Sequence, residues 1–332
     1  MDTEPPLAAR VFAELANGRF HSGEELARIL AVSRSAIWKA ANTLRDLGVT
    51  LHAVRNRGYR LAMPAEPLDA GRIRALLPKL ARDRIRSLEV LWSVGSTNTL
   101  LMERANPPVG SCEALLAEYQ TAGRGRRGRS WLAPPGGAIC LSQSWVFPEV
   151  PRDLGALGLV IGVCALRALG ALGLQNVRLK WPNDLLVGDN KLGGVLIELR
   201  AESGGPACVV IGVGLNVALG SDLIATLARS GPTPTDLVAS GLERPSRNAV
   251  AAALIGSVVA GLLEFSREGL RPFIEEWRDA DALRGREVSI QAGEGSIRGL
   301  ARGVDVQGAL LVETPQGLQR FISGDVTVRA AT

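Results

Sequence analysis

The sequence predicts an α+β (mixed α/β) protein in three parts: a winged helix-turn-helix over residues 1–63, a central α/β domain over 69–282 and a small β-barrel over 283–332. Three observations predict it. Helical periodicity with capping residues fills the first fifth of the chain, strands and helices alternate from about Ser87, and short strand patterns at regular spacing close the sequence. At 332 residues and 46% hydrophobic content, the chain can build more than one core.

Leu7, Val11 and Leu15 recur at helical spacing, and Phe12 widens their face into that of a first helix. Ser22 and Glu25 form a capping box ahead of Leu26, Ile29 and Leu30, the stripe of a second helix. After a short AVS turn, Ser33 caps a third helix carrying Ile37, Ala40, Ala41 and Leu44, which Gly48 ends. VTLHAV and GYRL then predict two strands joined by the basic RNRG turn, which forms a wing. From Ser33 to Arg60, six basic residues (Arg34, Lys39, Arg45, Arg55, Arg57, Arg60) stand against Asp46, a surplus of +5. Helix and wing agree on a polyanion, so Ser33, Arg34, Ser35, Lys39, Asn42, Arg55 and Arg57 are the candidate DNA contacts; a solvated face of a protein-interaction module is the alternative. Trp38, beside Lys39, departs from a polar groove reader, and packing on the first helix or the core domain is the competing expectation for it.

MPAEPL, at 63–68, carries two prolines and predicts a linker. Beyond it come SLEVLWSV, a helix from Ser96, the strands CEALLAEYQ and AICLSQSWVF, and a long helix after Pro151. Strands near RLKWPNDLLV, KLGGVLIELR and ACVVIGVGLNV follow. A helical stretch from Asn248 to Ala282 then gives way to REVSIQ, IRGLARGV, GALLVET and FISGDVTV, the strands of the small barrel.

Composition excludes more than it selects. A net charge of +5 and a pI near 9.4 favour a polyanionic partner only weakly. The acidic start, MDTEPPLAAR, carries no apolar stretch, which predicts no secretory signal. The runs Leu154–Leu166 and Ala249–Leu263 are shorter than the roughly 20 residues of a spanning helix, so both are expected as buried helices and no membrane partner is expected. Cys112, Cys140, Cys164 and Cys208 lie far apart in apolar surroundings, which suits free thiols in a reducing cytoplasm. His21 and His52 are the only histidines, far in sequence from the other candidate chemistry. Histidine-dependent nucleophilic catalysis and histidine zinc sites are therefore disfavoured, and no dedicated metal-ligand set is assigned.

Residues 120–131, QTAGRGRRGRSW, fit a G-x-G-x-x-G fingerprint and come near a P-loop. Both motifs place phosphate at the N-terminus of a helix that starts within them. Here the chain runs into Trp131 and PPGG, which cannot continue a helix, so neither motif holds. What remains is a cationic glycine loop bearing Arg124, Arg126, Arg127 and Arg129, expected to be mobile when empty and to close over a phosphate-bearing ligand.

Taken in order, STN at 96–98, the arginine loop, KWPND at 180–184, KLGGVLIE at 191–198 and GVGLN at 212–216 resemble biotin protein ligases, with matching flanks over nearly the whole chain. KWPND and the loop carry most of the weight, since WPND alone also describes a simple turn and GVGLN a closely packed strand. The resemblance, closest to the bifunctional ligase/repressors, implies a biotin/lipoyl-ligase-like catalytic domain and an SH3-like barrel. It implies synthesis of biotinyl-5′-AMP from biotin and ATP with Mg²⁺, then transfer to a lysine of a biotin carboxyl carrier protein. Repression at operator DNA of biotin-synthesis genes, by a ligand-promoted homodimer, is also implied. A DNA-binding biotin sensor without ligase activity and a lipoyl-type ligase are the alternatives; Lys191 with the complete loop argues against the first, and GRGRRGR against the second.

By this resemblance Ser96, Thr97, Asn98, Gln120, Arg124, Gly125, Arg126, Lys191, Gly194 and Gly214 form the biotin site. Arg126, Arg127, Arg129, Trp131, Asn183, Lys191 and Asn216 take ATP and the adenylate, while Lys191, Arg126 and Asp184 are the catalytic set. Lys191 would hold the carboxylate and α-phosphate oxygens together as a compact charge, Asn183 and Asp184 would orient Lys191 or Mg²⁺, and Asn216 would meet the phosphates. No protein nucleophile is needed, in keeping with the scarcity of histidine.

Overall fold

In a computed structural model, residues 4–201, 205–229, 231–243, 245–292 and 295–328 are described. Three helices, α1 (Leu7–Leu15), α2 (Gly23–Ile29) and α3 (Arg34–Asp46), pack around Val11, Phe12, Leu15, Leu26, Ile37 and Leu44. The capping box forms in full: Ser22 Oγ accepts from Glu25 N while the Glu25 carboxylate accepts from Ser22 N. Ser33 Oγ likewise accepts from Ala36 N at the start of α3. Strands β1 (Leu51–Val54) and β2 (Gly58–Leu61) pair antiparallel as the wing.

The stretch expected as a linker is a strap pinned to both of its neighbours. Ala65 N donates to Ala16 O, Leu68 N donates to the Glu118 carboxylate at 2.6 Å, and Arg247 donates to Glu66 O. Two short helices that the sequence pattern did not announce follow it, α4 (Ala70–Leu76) and α5 (Lys79–Arg84). Next come β3 (Ile85–Val94), α6 (Thr97–Glu103), β4 (Cys112–Gln120), β5 (Ala138–Phe147), α7 (Leu157–Ala171), β6 (Val177–Lys180), β7 (Asp184–Val187), β8 (Asn190–Ala201) and β9 (Ala207–Asn216). The seven strands form one sheet in the order β3-β4-β5-β9-β8-β7-β6, with only β3 and β4 parallel. RLKWPNDLLV is thus two strands, β6 and β7, turned around WPND.

Period-two alternation decides what each face of the sheet does. Ile139 and Leu141 of β5, and Val209, Ile211, Val213 and Leu215 of β9, enter the main core beneath α7. The opposite face carries Ser142, Gly194, Glu198, Gly212 and Gly214, and α6 covers part of it through Leu101 against Leu115 and Val210.

After α8 (Ser221–Leu227), the expected helix from Asn248 to Ala282 is two: α9 (Arg247–Glu268) and α10 (Ile274–Asp279). Gly269, at φ +65°, breaks it between them. α9 has 22 residues, and the helical stretch 154–171 has 18; each is long and apolar enough to span a bilayer, contrary to the expectation from uninterrupted apolar runs. Residues 167–171 extend the first helix beyond its apolar run, and Arg247, Asn248 and residues 264–268, several of them charged, extend the second; most of each helix is buried within the fold. All four cysteines are free and buried.

The last five strands, β10 (Glu287–Ala292), β11 (Gly295–Val304), β12 (Leu310–Thr314), β13 (Gly317–Phe321) and β14 (Asp325–Val328), form an antiparallel sheet in the order β13-β12-β11-β10-β14. Its Val288, Ile290, Leu310 and Val326 join the same core as α7 and α9, so this sheet is seated on the central domain.

Candidate functional site

The strand face rich in glycine carries a polar network that spans four elements, α6, β4, β5 and β8. Ser96 caps α6 through Thr99 N, so Thr97 and Asn98 begin the helix with their side chains over the sheet. Thr97 donates to Gln120 Oε1 from its backbone at 2.8 Å and from its hydroxyl at 3.1 Å. Ser142 Oγ lies 2.7 Å from Thr97 Oγ1 and 2.5 Å from Asn98 Oδ1, and Asn98 Nδ2 donates to Glu198 Oε2 at 3.0 Å. Ser96, Thr97 and Asn98 are each buried, which a polar trio tolerates only when satisfied in this way. Gly212 is glycine for the same reason: a Cβ there would collide with the Asn98 amide.

The arginine loop crosses this face. Thr121 N and Ala122 N donate to Val94 O and Gly95 O, and Arg124 and Ser130 form a short bridge, so both ends of the loop are held. Arg124 pairs with Glu198 at 3.0 Å and donates to Thr99 Oγ1, which places it beside Asn98. Gly125 N donates to Arg129 O at 2.7 Å, fixing the tight turn. Arg126 Nη1 reaches Asn183 Oδ1 at 3.4 Å, while Arg127 and Arg129 turn outward to Asp325 of β14. Burial lowers the Arg126 pKa, against the charge of Asp325, which supports its cation. At the loop's end the Trp131 indole packs on Gly214.

Lys191 opens β8 on the far side of this groove, and its Nζ donates to Asp184 Oδ1 at 2.6 Å. Its backbone is clamped: Lys191 N donates to Thr233 O, and Lys191 O accepts from Thr235 N and from Asn216 Nδ2. Gly194 lies beside this pair: a Cβ there would make ordinary contact with Lys191 Nζ at 3.5 Å and a tighter one with Asp184 Oδ1 at 3.3 Å. Asn183 gives its amide to Val195 O at 2.6 Å and holds Arg126, so it orients the arginine, not Lys191. Asn216 is buried, with Nδ2 donating to Thr235 O and Lys191 O. Only its Oδ1 is left to face a ligand, and an acceptor repels phosphate oxygen but suits a cation. Lys180, half-buried beside Asp184 and Lys191, has its pKa lowered by desolvation and adds a further charge on this side.

Of the residues expected in the site, Thr97, Asn98, Gln120, Arg124, Gly194 and Gly214 meet along this sheet face and Arg126, Asn183, Asp184 and Lys191 gather beside it, whereas Arg127 and Arg129 turn away to Asp325. Missed from the sequence were Ser142, Glu198, Asp325 and the strap at 233–235. Ser142 and Glu198 had a signal, Ser142 opening the polar run 142–144 inside an apolar strand and Glu198 interrupting the apolar run 195–199; the other two are brought in by tertiary contacts alone.

At the N-terminus, Arg34, Ser35, Trp38, Lys39 and Arg45 share the exposed face of α3, with Asn42 half-buried among them and accepting from Arg45. Trp38 is 57% exposed, so it packs on neither α1 nor the core domain, and it stands on the face that carries the charge. In the wing, Arg57 and Arg60 stack on the Phe20 ring at 4.3 and 4.8 Å, which fixes their heads, while Arg55 is free of that platform and exposed. Phe12 meets Trp92 of β3 at 5.7 Å, joining this domain's core to the catalytic sheet.

Comparison with known proteins agrees with this layout. The Biotin/lipoate A/B protein ligase family matches residues 91–216, an HTH domain matches 9–60, and the biotin protein ligase C terminal domain matches 284–329. The chain is 40% identical to the bifunctional ligase/repressor BirA of Salmonella typhimurium and 39% identical to that of Escherichia coli K12, with 99% of each chain covered. Among solved structures, the biotin protein ligase from Aquifex aeolicus in complex with biotin and ATP matches with a TM-score of 0.60 at 28% identity, covering 75% of this chain and 99% of that one.

Proposed function

This chain belongs to the family of bifunctional biotin ligase/repressors, and on that premise we propose that it adenylates biotin and transfers it to a carrier protein. The observation that carries the proposal is the single groove shared by a buried polar trio, an arginine loop and Lys191. In the first step the biotin carboxylate oxygen attacks the α-phosphorus of ATP and pyrophosphate leaves. In the second, the amine of a carrier lysine attacks the acyl carbon of biotinyl-5′-AMP, forming the amide, releasing AMP and losing a proton to solvent.

Thr97, Asn98, Gln120 and the loop residues Arg124 and Gly125 supply the alternating donors and acceptors that a ureido ring requires. Trp131 on Gly214 walls this end of the groove. At the other end Arg126 and Lys191 neutralise the carboxylate and α-phosphate, which otherwise repel each other. Asp184 holds Lys191 Nζ in place, and Arg127 and Arg129, turned to Asp325, hold the loop that carries Arg126 and add long-range positive charge toward the triphosphate. Among the described residues no cluster of three metal-ligating side chains occurs, but a magnesium–nucleotide complex needs only one or two protein oxygens. Asp184 and Asn216 Oδ1 would provide them, and Mg²⁺ would there offset triphosphate charge.

The N-terminal domain, by the same membership, binds operator DNA through α3 and the wing. The seven-stranded sheet ends on β3, an edge open to a second copy or to a carrier domain. Free buried thiols suit the reducing cytoplasm in which such carriers are made. Transfer of labelled biotin to a carboxyl carrier domain tests the proposal: it is expected to require ATP, and ATP-independent or absent labelling overturns it.

A further inference from the structure

Asp325 lies 198 residues beyond Arg127, at the first position of β14, yet its Oδ2 accepts from Arg129 at 2.5 Å and from Arg127 at 3.3 Å. Burial alone would raise its carboxyl; the hydrogen bond from Arg129 and the charges of Arg129, Arg127 and Arg126 outweigh that and hold it below the usual carboxylate range. The loop needs such a partner. Arg127 sits at φ +54°, in the left-handed region, followed by Gly128 at φ +73°, and a non-glycine residue keeps that conformation only when contacts outside the turn fix it.

The carboxylate itself has little freedom. Gly324, just before it, packs against Ile290 and Trp181. Trp181 of the KWPND turn donates Nε1 to Gly308 O of the barrel at 3.1 Å, and Ile290 and Val326 belong to the core shared with the catalytic sheet. The barrel therefore offers a fixed anion to a loop whose glycines and like charges resist order.

We propose that Asp325 is a positioning residue that latches the tip of the arginine loop, so that Arg126, held by Asn183, meets ATP already in place. Loss of the latch leaves the nucleotide to order the loop itself. The cost then falls on ATP affinity, as an equilibrium between open and closed loop, more than on the chemical step. Asp325 thus gives the C-terminal sheet a role in the reaction without contact with a reacting atom. The kinetic part of this inference rests on the proposed ligase activity; the structural part does not.

Both parts are tested on the full chain with Asp325→Asn and Asp325→Glu. In ligand-free protein, trypsin is expected to cut the Asn variant within Arg124–Arg129 roughly three- to tenfold faster than the unaltered chain, and Glu should restore slow cleavage. In biotin-dependent exchange of pyrophosphate into ATP, the KM for ATP should rise by a similar factor, while kcat and the KM for biotin change by less than about twofold. Unchanged cleavage overturns the latch whether or not the chain is a ligase. Faster cleavage with an unaltered KM for ATP, or a loss confined to kcat, overturns its part in the reaction. Absence of exchange in the unaltered chain overturns the ligase proposal instead, and the cleavage rates still decide the latch. Should the Asn variant fail to fold, Arg129→Gln breaks the pair from the loop side and is read by cleavage after Arg124, Arg126 and Arg127 alone, since the change itself removes the site after residue 129.

Discussion

Trp131 packs so closely on Gly214 that a Cβ built at residue 214 would stand 2.6 Å from indole Cε2 and 2.8 Å from Cζ2. Real carbons do not approach so near, so any side chain at 214 must move the indole or the strand. Because 214 lies mid-strand, paired with Cys140 on one side and Gly194 on the other, the indole is what gives way. Gly214→Ala is therefore expected to weaken biotin binding by on the order of tenfold or more, read by titration calorimetry. Gly155→Ala, where a Cβ meets nothing within 4 Å, serves as the control. Equal affinity in the Gly214 and Gly155 variants would remove Trp131 from the biotin wall.

Lys191 bears on the chemical step. Lys191→Met keeps much of the side chain's length and removes its charge, and biotin-dependent pyrophosphate exchange should fall on the order of a hundredfold or more. The variant also strands Asp184, whose carboxylate is mostly buried and loses its 2.6 Å partner. A thermal midpoint must therefore be measured beside the rate: a rate loss with the fold intact assigns Lys191 to catalysis, and near-normal exchange sinks that assignment.

Asp281 sets an expectation for stability against pH. It is 2% exposed between the catalytic domain and the barrel, its Oδ2 has no partner, and burial raises its pKa to about 6 from 3.8. A raised folded-state value means that the native protein holds a proton the unfolded chain has released. The contribution is thus full below pH ~4 and is lost as pH rises through ~6. The loss is on the order of 2–3 kcal/mol if the whole shift is realised. Asp281→Asn keeps an acceptor for Leu283 N and cannot ionise. Its midpoint should exceed that of the unaltered chain at pH 8, and the advantage should shrink toward pH 5; denaturant melts at both values check it.

How far the sequence led depended on whether a signal was local. Ser22 with Glu25, Ser33 before α3 and Ser96 before α6 are caps satisfied within three residues, so helix starts could be read directly. The loop could be separated from a P-loop because proline follows it. α4 and α5 escaped notice because each is a single short run of seven residues or fewer, rich in arginine, whose apolar face is too brief to show a period. The break at Gly269 was legible but missed: Gly269 with Pro272 three residues on, among Arg267, Glu268 and Arg271, is a helix-stop signal. The Glu118–Arg247 pair, buried at 2.8 Å and gripping the strap through Leu68 N, joins residues 129 apart. Charge type announces a possible pairing in such cases, but only the packed sheet and α9 select the partner.

DNA binding is the prediction with the longest chain of inference. The exposed face of α3 and the wing carry the positive charge, and Trp38 stands among those residues in the open. A monomer with this surface should bind duplex DNA weakly, with affinity falling steeply as salt rises, whereas a dimer presents two α3 helices to half-sites whole helical turns apart. The route from ligand to DNA domain is short: β3 ends at Val94 and Gly95, which anchor the arginine loop, and its Trp92 packs on Phe12 of α1. Biotinyl-5′-AMP, by ordering the loop, should steady that strand end and favour pairing of two β3 edges, while a carrier domain on the same edge opposes it. Gel-shift titrations on DNA upstream of the source organism's biotin-synthesis genes should show tighter binding with biotin plus ATP, and ultracentrifugation should show the dimer under the same conditions. Trp38→Ala should weaken operator binding more than binding to random DNA, since an apolar ring adds base contact and no charge. Affinity that ignores the ligands, or that never exceeds that for random sequence, would leave the N-terminal domain a structural accessory of the ligase.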